Sequence, residues 1–185
     1  MAKNRMEFTL RAVSHDDAPR ITELIGDWEV VRWLSSPPHP YALTDAEEFL
    51  ATIPDQARSG GRHSAIVIDG QFAGMVAIDF RHHEPNAGSW NLGYWLGRPY
   101  WGHRIMTRAA TRHTQDFFAN STETKLNSGY FSGNEASWAV QKRLGFKITG
   151  EGLLFNRPQG KRMEHMETVL TRERFASLQQ IAAAR

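Results

Sequence analysis

Residues 90–107 of the chain read WNLGYWLGRPYWGHRIMT, which predicts an apolar strand, a tight turn and the first turn of a helix. At such a junction several backbone N–H groups point outward at the start of a helix, where the helix dipole also favours a negative charge. Four basic residues lie in or beside the turn: Arg98, His103, Arg104 and Arg108. Solvated surface cations would give the same pattern, but together with the helix start they indicate a phosphate-binding turn.

The composition fits one domain over residues 1–185 and narrows the chemistry that the chain can carry out. Because there are no cysteines, disulfides and thiolate chemistry are excluded, and a metal site, which we do not predict, would need histidines and carboxylates. No apolar run approaches the roughly 20 residues that cross a bilayer, and the first residues do not resemble a secretory segment. The net charge of +2 is too small to indicate a nucleic-acid partner. We expect a cytoplasmic monomer or homodimer that binds neither nucleic acids nor membranes.

Hydrophobic periodicity divides the rest of the chain into strands and helices. The predicted strands cover residues 7–13, 63–68, 72–80, 89–97, 124–130, 146–155 and 161–171. Helices are predicted after Ser14, after the capping-box pair Thr44 and Glu47, after Gly102, after Asn134 and over residues 172–185. This order is typical of an α+β protein with a mixed, mostly antiparallel sheet of about seven strands flanked by helices.

An aromatic and proline-rich segment lies between the first two predicted helices. Prolines at positions 37, 38 and 40 fix a stiff, extended loop, because proline restricts both its own backbone and that of the preceding residue. Trp33 and Tyr41 flank these prolines. The two aromatic side chains can form the apolar wall of a substrate pocket, or they can belong to a surface connector that packs against the core.

Four stretches resemble the GNAT superfamily of N-acetyltransferases. They are residues 30–34 with 38–41 and 45–49, residues 92–96 with 100–102, residues 134–137, and residues 144–146. Within the superfamily the chain is most similar to the RimJ/RimL type, which acetylates the N-termini of ribosomal proteins. The resemblance implies a GNAT-like sheet and transfer of an acetyl group from acetyl-CoA, as co-substrate, to a primary amine.

The resemblance also implies where acetyl-CoA binds. In such enzymes the strand before the turn splays from its neighbour, and its free backbone groups, here near Trp95 and Leu96, bind the pantetheine arm. The pyrophosphate is held at the turn and the helix start, with help from Arg98. In this chain those positions are Trp101, Gly102, His103, Arg104, Ile105, Met106 and Thr107.

A second implied site opens a later helix, where Asn134 and Ser137 are three residues apart and share one helix face. In the family the asparagine bonds the cofactor arm, and the serine lies near the thioester sulfur, where a hydroxyl can protonate the departing thiolate. Asn134 can also be simply the N-cap of its helix. The two roles of Asn134 are compatible.

Three residues depart from the family pattern. Arg104 stands where glycine is expected, and Met106 stands where glycine or alanine is expected, so these side chains can obstruct the phosphates unless they turn away. Arg104 can also contact the phosphates itself. Asn91 replaces a glutamate that serves many members as the general base. If the enzyme is active, the base must come from elsewhere.

The base and the acceptor are the open questions of the sequence. His82, His83 and Glu84, in the loop before the strand, are candidate bases, as is solvent. The acceptor side is expected to combine residues 28–41, this loop and residues 156–161. The acceptor can be a protein N-terminus, a polyamine, an amino acid or an aminoglycoside-like drug. A GNAT-shaped binding module with weakened catalysis is the alternative function.

Overall fold

The computed structural model describes residues 6–82 and 87–184. Within them, seven strands form one sheet in the order β1-β2-β3-β4-β5-β7-β6. The strands are β1 (Thr9–Ala12), β2 (Arg62–Ile68), β3 (Gln71–Arg81), β4 (Ser89–Leu96), β5 (Lys125–Phe131), β6 (Lys147–Asn156) and β7 (Lys161–Thr171). Neighbouring strands are antiparallel except β4 and β5, which are parallel. The predicted α+β fold with a mostly antiparallel sheet is confirmed.

Six helices cover the two faces of this sheet within the described residues. They are α1 (Ala18–Gly26), α2 (Trp28–Val31), α3 (Leu43–Arg58), α4 (Ile105–Ala119), α5 (Glu135–Leu144) and α6 (Arg172–Ala183). Apolar residues of α4, α5 and α6 pack with alternate residues of the central strands, such as Val76, Ile78 and Leu92. We call this side the α4 face. The helices α1, α2 and α3 cover the opposite side of β2 and β3, which we call the α1 face.

Because side chains alternate along a strand, β4 contributes residues to both faces. Leu92 belongs to the core of the α4 face, and Tyr94 packs against that core. Asn91, Gly93 and Trp95 therefore lie on the α1 face. This alternation decides which residues of the predicted site meet.

Local signals fix several element ends. Asp69 and Gly70, a residue pair typical of two-residue hairpin turns, connect β2 to β3 with positive φ angles of 48° and 77°. Gly145 ends α5 in the left-handed conformation, with φ of 104°. The helix α1 ends at Gly26, and the expected cap of α5 at Asn134 is confirmed.

Two local expectations need correction. The capping box predicted for Thr44 and Glu47 is wrong, because α3 already begins at Leu43 and the Asp45 carboxylate accepts a 2.8 Å hydrogen bond from the N–H of Ala42. The short helix α2 was not predicted at all. It exists because the Asp27 carboxylate caps the N–H of Glu29, a signal too short to give a helical period.

No helix in residues 6–82 and 87–184 has the length and apolar character needed to cross a membrane.

Candidate active site

The two edges of β4 are paired very differently. On one edge, residues 89–96 pair with residues 74–81 of β3 without interruption. On the other edge, β4 pairs with β5 at Asn91 and Asn127, and the Ser128 hydroxyl donates a 2.8 Å hydrogen bond to the Leu92 carbonyl. Beyond Leu92 the two strands separate, and we call the space between them the β4–β5 gap. A free strand edge beside a cleft can bind an extended ligand through its backbone groups.

The predicted phosphate-binding turn connects this gap to α4. Gly102 and Arg104 both have positive φ angles, 83° and 56°, and α4 begins at Ile105. In the described part of the chain, the backbone N–H groups of residues 102–107 have no protein acceptor. Consecutive free N–H groups at the start of a long helix are suited to an anion such as a pyrophosphate.

The structure explains how the turn accepts two residues that are not glycine. Arg104 adopts the left-handed backbone conformation that glycine would adopt, at a cost of roughly 1–2 kcal/mol, and its side chain is exposed. Met106 is buried and packs in the core beneath α4 with Phe8 and Ile105. The Met106 side chain therefore points away from the free N–H groups.

The four basic residues near the turn do not act alike. Arg108 lies over the Phe8 ring at 4.9 Å and 3.5 Å from the Glu7 carboxylate, so it is directed toward the N-terminal strand. Arg98 is 3.7 Å from the Asp27 carboxylate. His103 and Arg104 stay at the turn itself. The positive charge available to an anion is therefore smaller than the sequence suggested.

Trp101 covers the end of β4. Its indole Nε1 donates a 2.7 Å hydrogen bond to the Leu96 carbonyl, one of the groups expected to meet the pantetheine arm. The Trp95 ring packs at 5.7 Å from the Phe72 ring. Trp101 is thus held against Leu96 at the end of β4, where the Leu96 oxygen already accepts one hydrogen bond, and the pantetheine site at Trp95, Leu96 and Trp101 stays a prediction.

Ser137 faces the gap from α5, where it is linked to β4. The Ser137 hydroxyl and the Tyr94 hydroxyl are 2.9 Å apart, and the Tyr94 hydroxyl also donates to the Ser137 carbonyl at 3.1 Å. Burial raises the pKa of Tyr94 to about 12, so its phenol stays protonated at neutral pH. Asn134 Oδ1 accepts a 3.1 Å hydrogen bond from the Ser137 N–H, which is the N-cap that the sequence predicted.

Gln141 of α5 contacts the Ser137 hydroxyl, and the sequence analysis did not identify this residue. Its Nε2 donates to the Ser137 hydroxyl at 3.4 Å and to the Gly129 carbonyl at 3.0 Å. Its Oε1 accepts a 2.6 Å hydrogen bond from the Thr168 hydroxyl. Gln141 and Thr168 are fully buried. The available signal was the spacing, because Gln141 lies one helical turn after Ser137 on the same face.

Two segments expected on the acceptor side are joined in the structure. The fully buried Asn156, at the end of β6, donates 3.0 Å and 3.2 Å hydrogen bonds to the carbonyls of Arg32 and Leu34. The Arg157 N–H donates to the Ser35 carbonyl at 3.0 Å. Residues 28–41 and the β6–β7 loop therefore form one wall. The sequence analysis expected residues 156–161 on the acceptor side but not these hydrogen bonds of Asn156, because its partners are more than a hundred residues away.

The two aromatic candidates of the acceptor side lie apart. The Trp33 ring lies against Gly133, immediately before Asn134, and the Arg32 guanidinium stacks on it at 4.7 Å. Tyr41 instead packs against the cluster formed by α1 and α3, and burial raises its pKa to about 12. The structure brings Trp33, but not Tyr41, into contact with the loop that opens α5.

The structure limits the choice of a base near position 91. Asn91 is buried, its Nδ2 donates to the Ser89 carbonyl at 3.3 Å, and an amide has no useful basicity. Asp79, its cross-strand neighbour, is 3.0 Å from Nε2 of His63. The His82 ring packs edge-on against Phe80 at 5.2 Å. His83 and Glu84 lie outside the described residues.

A sheet of this order, opened between two parallel strands beside a helix start, defines the fold class of the GNAT acetyltransferases. Residues 7–147 match the acetyltransferase (GNAT) domain family. The chain belongs to this family, whose members are acyl-CoA-dependent N-acetyltransferases. The resemblance derived from the sequence is confirmed.

Individual relatives are more distant. The chain is 27% identical over 157 residues to the Bacillus subtilis protein named "Putative ribosomal N-acetyltransferase YdaF", which covers 80% of this chain and 84% of that protein. Mycobacterium smegmatis RimJ in complex with CoA-disulfide has a TM-score of 0.79 at 22% identity, covering 96% of this chain and 88% of RimJ. Vibrio cholerae spermidine N-acetyltransferase in complex with CoA and spermine has a TM-score of 0.73 at 16% identity, covering 91% and 98%. The two solved structures share the fold.

Proposed function

We propose that the protein transfers an acetyl group from acetyl-CoA to a primary amine, directly and with both reactants bound. The observation that carries this proposal is the β4–β5 gap, which lies between the free N–H groups of residues 102–107 and the Ser137 hydroxyl. A CoA molecule presents a pyrophosphate, an extended amide-containing arm and a sulfur in that order. The three parts of the site follow the same order along β4.

In the proposed binding mode, the turn holds the pyrophosphate, with His103 and Arg104 beside it. The pantetheine arm lies along the free edge of β4 near Trp95 and Leu96. Asn134 serves both as the helix cap and as a neighbour of the arm. The thioester then lies at the inner end of the gap, near Ser137.

In the proposed reaction, the neutral amine attacks the thioester carbonyl, and a backbone N–H of β4 stabilises the oxyanion. Ser137 protonates the departing thiolate, with its hydroxyl oriented by Tyr94 and Gln141. A route through an acylated cysteine is excluded because the chain contains no cysteine. Much of the rate then comes from holding the two reactants in place.

Among the acceptor classes we favour a protein N-terminus over a polyamine. The β6–β7 loop and its two flanking residues, 156–161, carry Arg157 and Lys161 and no carboxylate. Like charges across a binding surface disfavour a polycation, whereas a peptide brings one amino group and a mostly neutral backbone. The names of the B. subtilis relative and of RimJ agree with this choice, and the spermidine enzyme represents the other acceptor class.

The proposal is tested with acetyl-CoA and a panel of amines. The panel contains short peptides with a free N-terminal alanine or serine, the same peptides with a blocked N-terminus, and spermidine. Release of the CoA thiol is followed with a thiol reagent, which gives no background because the protein has no cysteine. We expect acetylated free peptides by mass spectrometry, no product from blocked peptides, and spermidine turnover about tenfold slower.

Two other outcomes would contradict the proposal in different ways. If acetyl-CoA raises the melting temperature but no amine is acetylated, the protein is a CoA-binding module. If acetyl-CoA at millimolar concentration changes neither the melting temperature nor tryptophan fluorescence, the gap does not bind CoA.

A cytoplasmic location, a single domain over residues 1–185 and the oligomeric state stay predictions from the sequence.

A further inference from the structure

A buried histidine lies beside the β4–β5 gap and has no role in the site described above. His165 is in the middle of β7 and pairs with Phe131 of β5. It is 9% exposed, and its ring packs edge-on against the Phe131 ring at a centroid distance of 5.4 Å. A largely buried imidazole at this position is a candidate for accepting a proton, because the pKa of histidine lies near neutral pH.

The His165 ring extends from β7 over β5, toward the gap. An ideal Cβ placed on Gly129 would lie 2.3 Å from Cε1 and 2.6 Å from Nε2 of His165, so the imidazole occupies the space of a side chain at position 129. Gly129 lies two residues beyond Asn127, on the part of β5 that no longer pairs with β4. The glycine therefore leaves room for the imidazole of a β7 residue over β5, the strand that borders the gap.

His165 and Ser137 approach Gly129 from opposite faces of the sheet. Tyr130 stacks on Trp138 of α5, on the α4 face, so the alternation of side chains puts Gly129 and the His165 ring on the α1 face. Through Gln141, Ser137 is connected to the carbonyl of the same glycine from the other side. One residue of β5 thus separates the expected acid from the histidine.

The surroundings of His165 favour the neutral form of its ring. Burial lowers the pKa of His165, and the positive charge of Arg81 on β3 lowers it further. Glu167, two residues along β7, shares the same face and pairs with Gly129. A neutral imidazole has a free nitrogen that can accept a proton.

We propose that His165 is the general base that accepts the proton of the acceptor amine. It would take the place of the glutamate that many family members carry at the position of Asn91. This proposal rests on the proposed function of the gap. The amine nitrogen forms a C–N bond with the thioester carbon and passes one proton to His165. The C–S bond breaks with its electron pair on sulfur, which takes the Ser137 proton. His165 then loses its proton to solvent, and Ser137 regains one.

Two other basic groups, Asp79 and His82, are less suited to this role. Asp79 lies one strand further from the gap, and its Oδ2 is already 3.0 Å from His63 Nε2. His82 packs against Phe80, whose other aromatic neighbour is Trp90. The His165 ring, in contrast, lies against Gly129 of β5.

The first experiment compares His165→Gln with the wild type and with His15→Gln, a change of an exposed histidine far from the gap. The acceptor is a peptide with an N-terminal alanine. We expect His165→Gln to lower kcat about 100-fold while the affinity for CoA stays within twofold of wild type. His15→Gln is expected to leave both quantities unchanged.

The pH profile separates a base from a residue that only supports the structure. For the wild type, kcat falls as the pH decreases through the lowered pKa of His165, because the protonated ring cannot accept a proton. In His165→Gln this inflection is expected to disappear, and the rate follows the protonation of the bound amine alone. An unchanged inflection in this variant would overturn the proposal.

A second variant guards against a folding defect. His165→Ala opens a space over Gly129 that imidazole can enter, so added imidazole is expected to restore at least tenfold of the lost rate. Loss of rate without such rescue, in a variant that still binds CoA, assigns His165 a structural role and overturns the proposal. If wild-type protein acetylates no amine, the proposed function itself has failed. If His82→Gln loses activity and His165→Gln does not, the base is His82.

Discussion

The two edges of β4 belong to the same eight-residue strand, yet one is closed and the other is open. The closed edge pairs with β3 along residues 89–96 and is packed so tightly that Gly74 has backbone atoms of Trp95 and Leu96 against it. The open edge pairs with β5 at Asn91 and then diverges. The comparison indicates that one edge of the strand stabilises the sheet, whereas the proposed chemistry uses the other edge. Substitutions on the two edges should therefore have separable effects.

The largest effect is expected from a matched pair of glycines. In Gly74→Ala the new Cβ would lie 2.4 Å from the Trp95 carbonyl oxygen, whereas in Gly93→Ala it would meet nothing within 4 Å. We expect Gly74→Ala to lower the free energy of unfolding by about 3 kcal/mol, because backbone atoms must move. Gly93→Ala should keep its melting temperature within a few degrees but slow acetyl transfer. Equal losses of stability in urea denaturation would remove the distinction between the edges.

A smaller effect, confined to the open edge, is expected for Ser137→Ala. The thiolate would leave without its proton donor, so we expect kcat to fall about 100-fold, which corresponds to about 2.7 kcal/mol in the barrier. CoA affinity, measured by isothermal titration, should stay close to wild type. Ser132→Ala, in the exposed loop before α5, is the control. An unchanged rate in Ser137→Ala would remove this serine from the mechanism.

Substitutions of Arg104, in the turn after β4, test how this non-glycine residue affects the free energy of unfolding and the affinity for CoA. Because the Arg104 backbone is already left-handed, Arg104→Gly should raise the free energy of unfolding by up to about 1 kcal/mol. Loss of the exposed guanidinium should weaken CoA binding about fivefold. Arg104→Lys, which keeps the charge, should bind CoA nearly as well as wild type. Tighter binding by Arg104→Gly would show instead that the side chain obstructs the phosphates.

The smallest effect is expected for a second buried histidine, which contacts β2 and does not border the β4–β5 gap. His113 of α4 contacts the Arg62 carbonyl at 3.1 Å. Burial lowers the pKa of His113, and the nearby side chains of Arg62 and His63 lower it further. The hydrogen bond to the Arg62 carbonyl and the charge of Asp116 oppose this shift without reversing it. Below its ordinary value of 6.5, the unfolded chain binds a proton that folded His113 resists. The free energy of unfolding should therefore decrease as the pH falls through 6.5. His113→Gln should flatten this slope without changing the acid limb of kcat.

Most of the fold could be predicted because its signals are local. The hairpin at Asp69 and Gly70, the end of α5 at Gly145 and the turn before α4 each depend on a few neighbouring residues. Where the prediction of a helix start failed, at Thr44, two overlapping capping patterns competed, and only the structure shows that Asp45 provides the bond. Family resemblance supplied the rest of the topology.

The site was less predictable because its partners are far apart in the chain. Asn156 meets the carbonyl of Arg32, and Tyr94 meets Ser137, and no periodicity links such pairs. The burial of Met106 resolves a departure that looked damaging in the sequence. The place of His165 depends on strand order, since β7 lies beside β5 and the ring crosses a glycine.

The link between Tyr94 and Ser137 has a consequence for how the gap is built. With the Ser128 hydroxyl on the Leu92 carbonyl, it connects the two walls of the gap by hydrogen bonds that need no ligand. These hydrogen bonds fix the width of the β4–β5 gap when the protein folds. Because the walls of the gap are already ordered, ligand binding requires little free energy to order them. More of the binding free energy is then available to align the two reactants.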